Sequence, residues 1–133
     1  MTVDGFRAEQ TRPFSGWSSD VAVPFRAFVD ALARALHVEV RGIERVPPGR
    51  ALLVANHAFG FDIVFPMMAI WEATGRRVWG LGEHAWWRFP FLRRLATAVG
   101  TVDGTQENAA ALLGRDQLVM VLPGGLREAM KPR

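Results

Sequence analysis

The sequence predicts an α/β fold, a mixed sheet flanked by helices. Three observations lead to it. Two unbroken apolar runs, residues 51–55 and 118–122, have the length of strands buried on both faces. Other segments repeat their apolar residues at helical spacing. Turn-forming clusters such as Pro47-Pro48-Gly49 and Pro123-Gly124-Gly125 separate the two kinds. Strands that alternate with helices pack as layers around one core.

The elements follow in order. Residues 1–19 are polar and punctuated by Gly, Ser and Pro, and read as a tail. Ser18, Ser19 and Asp20 offer N-caps for a helix running to about Leu36. Phe25, Phe28, Val29, Leu32 and Leu36 form its apolar face, and Asp30 and Arg34 are an i,i+4 pair on the other side. Val38 and Val40 alternate with Glu39 and Arg41, the pattern of a half-exposed strand. Strand 51–55 ends at Asn56-His57. A helix over 62–74 follows, with Pro66 in its first turn, where a missing N–H costs little, and Gly75 as its stop. Residues 78–81 suggest another strand, and 85–98 a helix broken at Pro90. Residues 99–102 are short and apolar. Residues 105–113 read as a helix capped by Thr105 and stopped at Gly114, before the last strand, 118–122. The pattern shows one domain and no internal repeat.

Composition narrows the function. The chain has 133 residues, half of them hydrophobic and 22% charged, a globular balance. With no cysteine, a thiolate nucleophile, a disulfide framework and a Cys-based zinc site are excluded, and a reducing compartment is compatible. The net charge is only +3 although the pI is about 10.9. Lys131 is the single lysine and tyrosine is absent, so little titrates between neutrality and arginine. The arginines are spread along the chain instead of forming a stripe, which argues against a nucleic-acid partner. No apolar segment approaches the ~20 residues of a membrane span, and the N-terminus lacks a signal-peptide core. The expected location is cytoplasmic, peripheral or monotopic at a membrane face.

The chemistry concentrates at Asn56-His57-Ala58-Phe59-Gly60-Phe61-Asp62. A histidine leaves the end of a buried strand, and an aspartate follows five positions later at a helix start. A short loop containing Gly60 can fold the carboxylate onto one imidazole nitrogen and leave the other for a substrate. This is the base half of a catalytic triad without its serine. Two plainer roles fit the same residues: Asp62 as a helix N-cap and His57 as a hydrogen-bonded core histidine. Spacing alone does not separate them. The second signal is the run 118–129, a strand entering Pro123-Gly124-Gly125 and then Leu126-Arg127-Glu128. Gly124 and Gly125 let backbone N–H groups approach a ligand, and Arg127 suits a phosphate or carboxylate; a strand-to-helix turn with a surface Arg–Glu pair fits equally.

Two other segments have competing readings. Gly80-Leu81-Gly82-Glu83-His84-Ala85, with Asp103 about twenty residues on, fits a loose dinucleotide pattern. Against it, Glu83 brings negative charge to the pyrophosphate position, Trp86 and Trp87 crowd it, and Pro90 interrupts the helix. Residues 85–94 interleave the aromatics Trp86, Trp87, Phe89 and Phe91 with Arg88, Arg93 and Arg94, and tryptophan and arginine favour a bilayer's headgroup level. A core helix with a basic edge is the other reading, and exposure decides between them.

These residues resemble the glycerolipid (lysophospholipid) acyltransferase superfamily, and its diacylglycerol acyltransferase-like branch in particular. Four blocks carry the resemblance in the family's order: VEVRGIERVPPGRALLV, NHAFGFD, VGTVDGTQENAAALL and VLPGGLREAM, over about residues 25–130. The resemblance implies a glycerol-3-phosphate acyltransferase-like fold, of which residues 20–133 form the N-terminal portion, incomplete at the C-terminus and inactive alone. It implies His57 as general base, Asp62 as its orienter, and Gly124, Gly125, Arg127 and Glu128 as substrate-site residues. The co-substrate is then acyl-CoA or an acyl carrier protein, with no cofactor and no metal, and the acceptor a hydroxyl of a lipid or other alcohol. Thr105 and Gly124 stand where phosphate-acceptor members carry arginine and glutamate, which points to a neutral acceptor. A non-catalytic lipid- or protein-binding module is the reading from another class.

Overall fold

The structure, a computed structural model, describes residues 22–57 and 62–124. Helix α1 (Ala22–Ala35) ends where His37 enters the left-handed region at φ 52° and Val38 N–H donates back to Ala33 O at 2.9 Å. Its Asp30 pairs with Arg26, 3.8 Å away, and not with Arg34; Arg26 also reaches Glu72. The 38–40 segment is not a strand. Val38 and Val40 are exposed in irregular chain, because alternation does not supply the ladder partner a strand needs.

Strand β1 (Ala51–Val54) leads to helix α2 (Val64–Thr74), closed by Gly75 at φ 67° with its N–H on Trp71 O at 2.8 Å. Strand β2 (Val78–Gly82) is followed by a 3₁₀ turn over His84–Arg88 and by helix α3 (Pro90–Ala98). The break falls at Pro90, which occupies the first turn of α3. Strand β3 (Thr101–Asp103), helix α4 (Gln106–Gly114) and strand β4 (Leu118–Val121) complete the order. Thr105 caps α4 as expected, its hydroxyl accepting from Asn108 N–H at 3.1 Å.

The four strands form one sheet in the order β1-β4-β2-β3, and every described pairing is parallel. The expectation of a mixed sheet is corrected for the described residues. Each link between consecutive strands contains a helix, and such crossovers return the chain to the same sheet end, making neighbours parallel. One face packs on α2: Met67 and Ile70 meet Val78, Leu118, Met120 and Leu122. The other packs on α4, where Leu112 meets Trp79, Val102 and Val119. A third cluster joins Val29 of α1 to Val64 and Met68 of α2 and to Val99. Strand β4 is therefore buried on both faces, as its apolar run predicts. Strand β1 is not: Leu52 and Val54 are 50% and 64% exposed. It lies at the sheet edge, where Ala51 and Leu53 face the α2 cluster while α4 covers β2, β3 and β4 only.

Candidate functional site

Parallel strands bring their carboxyl ends to one edge, and an open α/β sheet binds ligands there. Pairing of β1 with β4 continues one residue past the strand, through Ala55 N–H on Val121 O at 3.1 Å. His57 follows at that edge. Its Nδ1 lies 3.1 Å from Asp62 Oδ1, and the two side chains are 15% and 14% exposed. A carboxylate only accepts, so the shared proton resides on Nδ1, and in the neutral imidazole Nε2 keeps its lone pair. Asp62 does not hold the N-cap position. Ile63 does, without a side-chain cap bond.

A cavity of about 540 Å³ opens beside this pair, within the range of small-molecule sites. All four strand ends line it: His57 after β1, Leu81 to His84 at β2, Asp103 to Thr105 at β3, and Val121 to Gly124 at β4. His57 is in the wall and Asp62 is not, so the carboxylate stands behind the imidazole. Ile63, Leu81, Trp86, Val121 and Leu122 make much of the surface apolar.

A second histidine–aspartate contact stands on the same wall: His84 Nδ1 lies 2.8 Å from Asp103 Oδ2. Sequence reasoning met both residues only as parts of a dinucleotide pattern. Their spacing was the available signal, and it reports adjacent strand ends instead. The glycines of that pattern have a packing reason. A Cβ on Gly82 would meet Thr101 Cγ2 at 2.7 Å, and one on Gly104 would meet Gly82 O at 2.8 Å. Their absence lets β2 and β3 close together, and the segment after Gly82 is a short 3₁₀ turn, not a long phosphate-binding helix.

Gly124 lines the cavity at φ 95°, whereas Gly125, Arg127 and Glu128 lie outside the described residues. Trp87 is corrected as a membrane-contact residue, being buried at 8% exposure, and half-buried Trp86 lines the cavity. Arg88, Arg93 and Arg94 are exposed. Phe89 and Phe91 of the same aromatic–arginine segment, at 59% and 72%, are its exposed aromatics. Sequence alternation of Trp and Arg could not rank these aromatics, because the 3₁₀ turn and the break at Pro90 set which ring points inward. No described helix is long and apolar enough to cross a membrane.

Residues 37–131, spanning both His57–Asp62 and the Pro-Gly-Gly turn, match the family model described as acyltransferase. The chain belongs to the acyltransferase family. Among curated proteins, it is 30% identical over 93 residues to the "DGAT1/2-independent enzyme synthesizing storage lipids" of Mus musculus, covering 69% of this chain and 28% of that protein. The Homo sapiens protein of the same name is 30% identical over 94 residues, covering 69% of this chain and 29% of its own. The Gallus gallus protein is 29% identical over 103 residues, covering 76% and 31%. The chain thus spans less than a third of the length of these relatives. No solved structure matches it.

Proposed function

We propose that the protein transfers a fatty acyl group from an acyl-CoA or acyl carrier protein thioester to the hydroxyl of a neutral lipid alcohol, with His57 as general base. The observation that carries this reading is the Nδ1–Oδ1 contact of 3.1 Å between His57 and Asp62 at the wall of an apolar cavity. Nε2 of His57 takes the proton as the acceptor oxygen attacks the thioester carbonyl carbon. The tetrahedral intermediate collapses with cleavage of the C–S bond, and the imidazolium returns its proton to the leaving thiolate. Asp62 holds the tautomer and stabilises the imidazolium without taking the proton. Binding both substrates in one cavity supplies proximity.

Neutrality of the acceptor is supported by the lining. Its described residues include the carboxylates of Glu83 and Asp103 and no arginine or lysine. Among the described lining residues a phosphate would meet two carboxylates and no arginine or lysine. Exposed Phe89 and Phe91, with Arg88 and Arg93 alongside, support approach to a membrane face that supplies the lipid.

The test is acyl transfer by the whole protein with thioester donors of both kinds. His57→Ala should lose at least ~10³-fold in turnover, and Asp62→Asn roughly 10²–10⁴-fold through the wrong tautomer. A neutral glyceride should be acylated faster than glycerol phosphate in competition. Near-normal turnover by His57→Ala would sink the mechanism.

A further inference from the structure

His84 is the cavity-wall group that the proposed mechanism leaves without a task. Its imidazole is 73% exposed, while the Asp103 side chain it touches is 5% exposed. An ionised carboxylate buried to that extent needs hydrogen-bond partners, and His84 Nδ1–H supplies one at 2.8 Å. The contact is not needed to close the sheet. Gly82 and Asp103 are already in register, Gly104 N–H donates to Gly82 O at 2.9 Å, and Asp103 O accepts from Asn108 Nδ2 at 2.8 Å. With Nδ1–H given to Asp103, Nε2 of the neutral imidazole is an acceptor on a ring oriented by that bond. A group of this kind recognises a donor, and a hydroxyl is a neutral donor that suits a wall without arginine or lysine among its described residues. Apolar Leu81 and Trp86 flank it, as an amphiphile's chain requires.

We infer that His84, oriented by Asp103, binds a second hydroxyl of the acyl acceptor, so that the site selects glyceride-type diols over simple alcohols. The inference rests on the acyl-transfer reading for the word acceptor, since one hydroxyl goes to His57 and the other to His84. Preference for a diol is an equilibrium property of the cavity, however, and is measurable without turnover. His84 is on this account a specificity-determining residue, and Asp103 positions it.

The experiment is equilibrium binding by the full chain in detergent micelles, comparing a 1-monoalkylglycerol ether with a 1-alkanol of matched chain length. The parent should bind the diol roughly two- to tenfold more tightly, the difference one neutral hydrogen bond makes. His84→Ala should reduce that ratio to near one. His84→Gln should restore most of it, because its amide oxygen reaches the place of Nε2. His84→Asn should not, although its amide satisfies Asp103 as Nδ1–H does; recovery by Asn and not by Gln would mean a purely structural histidine. An unchanged ratio in His84→Ala overturns the inference. Tighter parental binding of an alkyl phosphate, lost in His84→Ala, also overturns it, by making the imidazole an anion site. Loss of acyl transfer in His57→Ala is scored separately. A diol preference collapsed by His84→Ala, together with acyl transfer intact in His57→Ala, would remove the mechanism and leave the role of His84 standing.

Discussion

Gly82→Ala is the most exacting test of how the cavity is built. The new methyl would lie 2.7 Å from Thr101 Cγ2, roughly 0.7 Å inside ordinary van der Waals contact. Thr101 is buried at 7% exposure and β-branched, so its side chain has little rotamer freedom for relief. Overpacking of this kind costs about 1–3 kcal/mol. Gly82 does not have a positive φ, so alanine also recovers ~0.4–1 kcal/mol by restricting the unfolded chain. The net loss is then roughly 0.5–2 kcal/mol, a fall in Tm of about 2–8 °C for a domain of this size. Thr101→Ser removes the offending methyl and keeps the hydroxyl. Denaturant unfolding of Gly82→Ala, Thr101→Ser and the double variant closes a cycle. The coupling should be ~1–2 kcal/mol, with the double variant more stable than the sum of single effects predicts. Additivity within about 0.3 kcal/mol would refute the packing account and return Gly82 to the ligand-approach role that its dinucleotide-like pattern suggests.

Thr105→Ala removes the hydroxyl that accepts from Asn108 N–H and should cost about 1 kcal/mol in denaturant unfolding; a loss below a few tenths would mean that the cap is dispensable. Replacing Phe89 and Phe91 with serine should weaken sedimentation with anionic liposomes while leaving Tm within a few degrees, since both rings are exposed. Trp87→Ser should do the opposite, destabilising by roughly 3–5 kcal/mol, because that indole is buried. Equal liposome binding by the double phenylalanine variant and the parent would remove the membrane reading of this segment.

Local chemistry made much of the site legible. The five-residue step from His57 to Asp62 sits between a strand end and a helix start, and a contact across so short a loop is a local matter. Capping by Thr105, the stop at Gly75 and the break at Pro90 are equally local, fixed by one hydroxyl, one left-handed residue and one missing N–H. The apolar run 118–122 pointed to a strand buried on both faces, and β4 lies between β1 and β2 with α2 on one face and α4 on the other.

Where the chain meets itself across long separations, the sequence was mute or misleading. The apolar run 51–55 reads like 118–122, yet β1 is an edge strand with Leu52 and Val54 exposed, since strand order depends on which crossovers the helices make. The alternation at 38–40 finds no ladder partner among the described residues. Asp103 and His84 are nineteen positions apart and touch because β2 and β3 are parallel neighbours whose carboxyl ends coincide. Which tryptophan is buried, and which phenylalanines are exposed, follows from the turn between His84 and Pro90. By itself, then, the sequence determined the Thr105 cap, the stop at Gly75 and the break at Pro90, and it offered the first histidine–aspartate pair, because these energies lie within a turn or a short loop. Among the described residues, tertiary structure alone decided the parallel strand order, the exposure of Leu52 and Val54 and the second pair, because these depend on surfaces brought together only when helices cross the sheet.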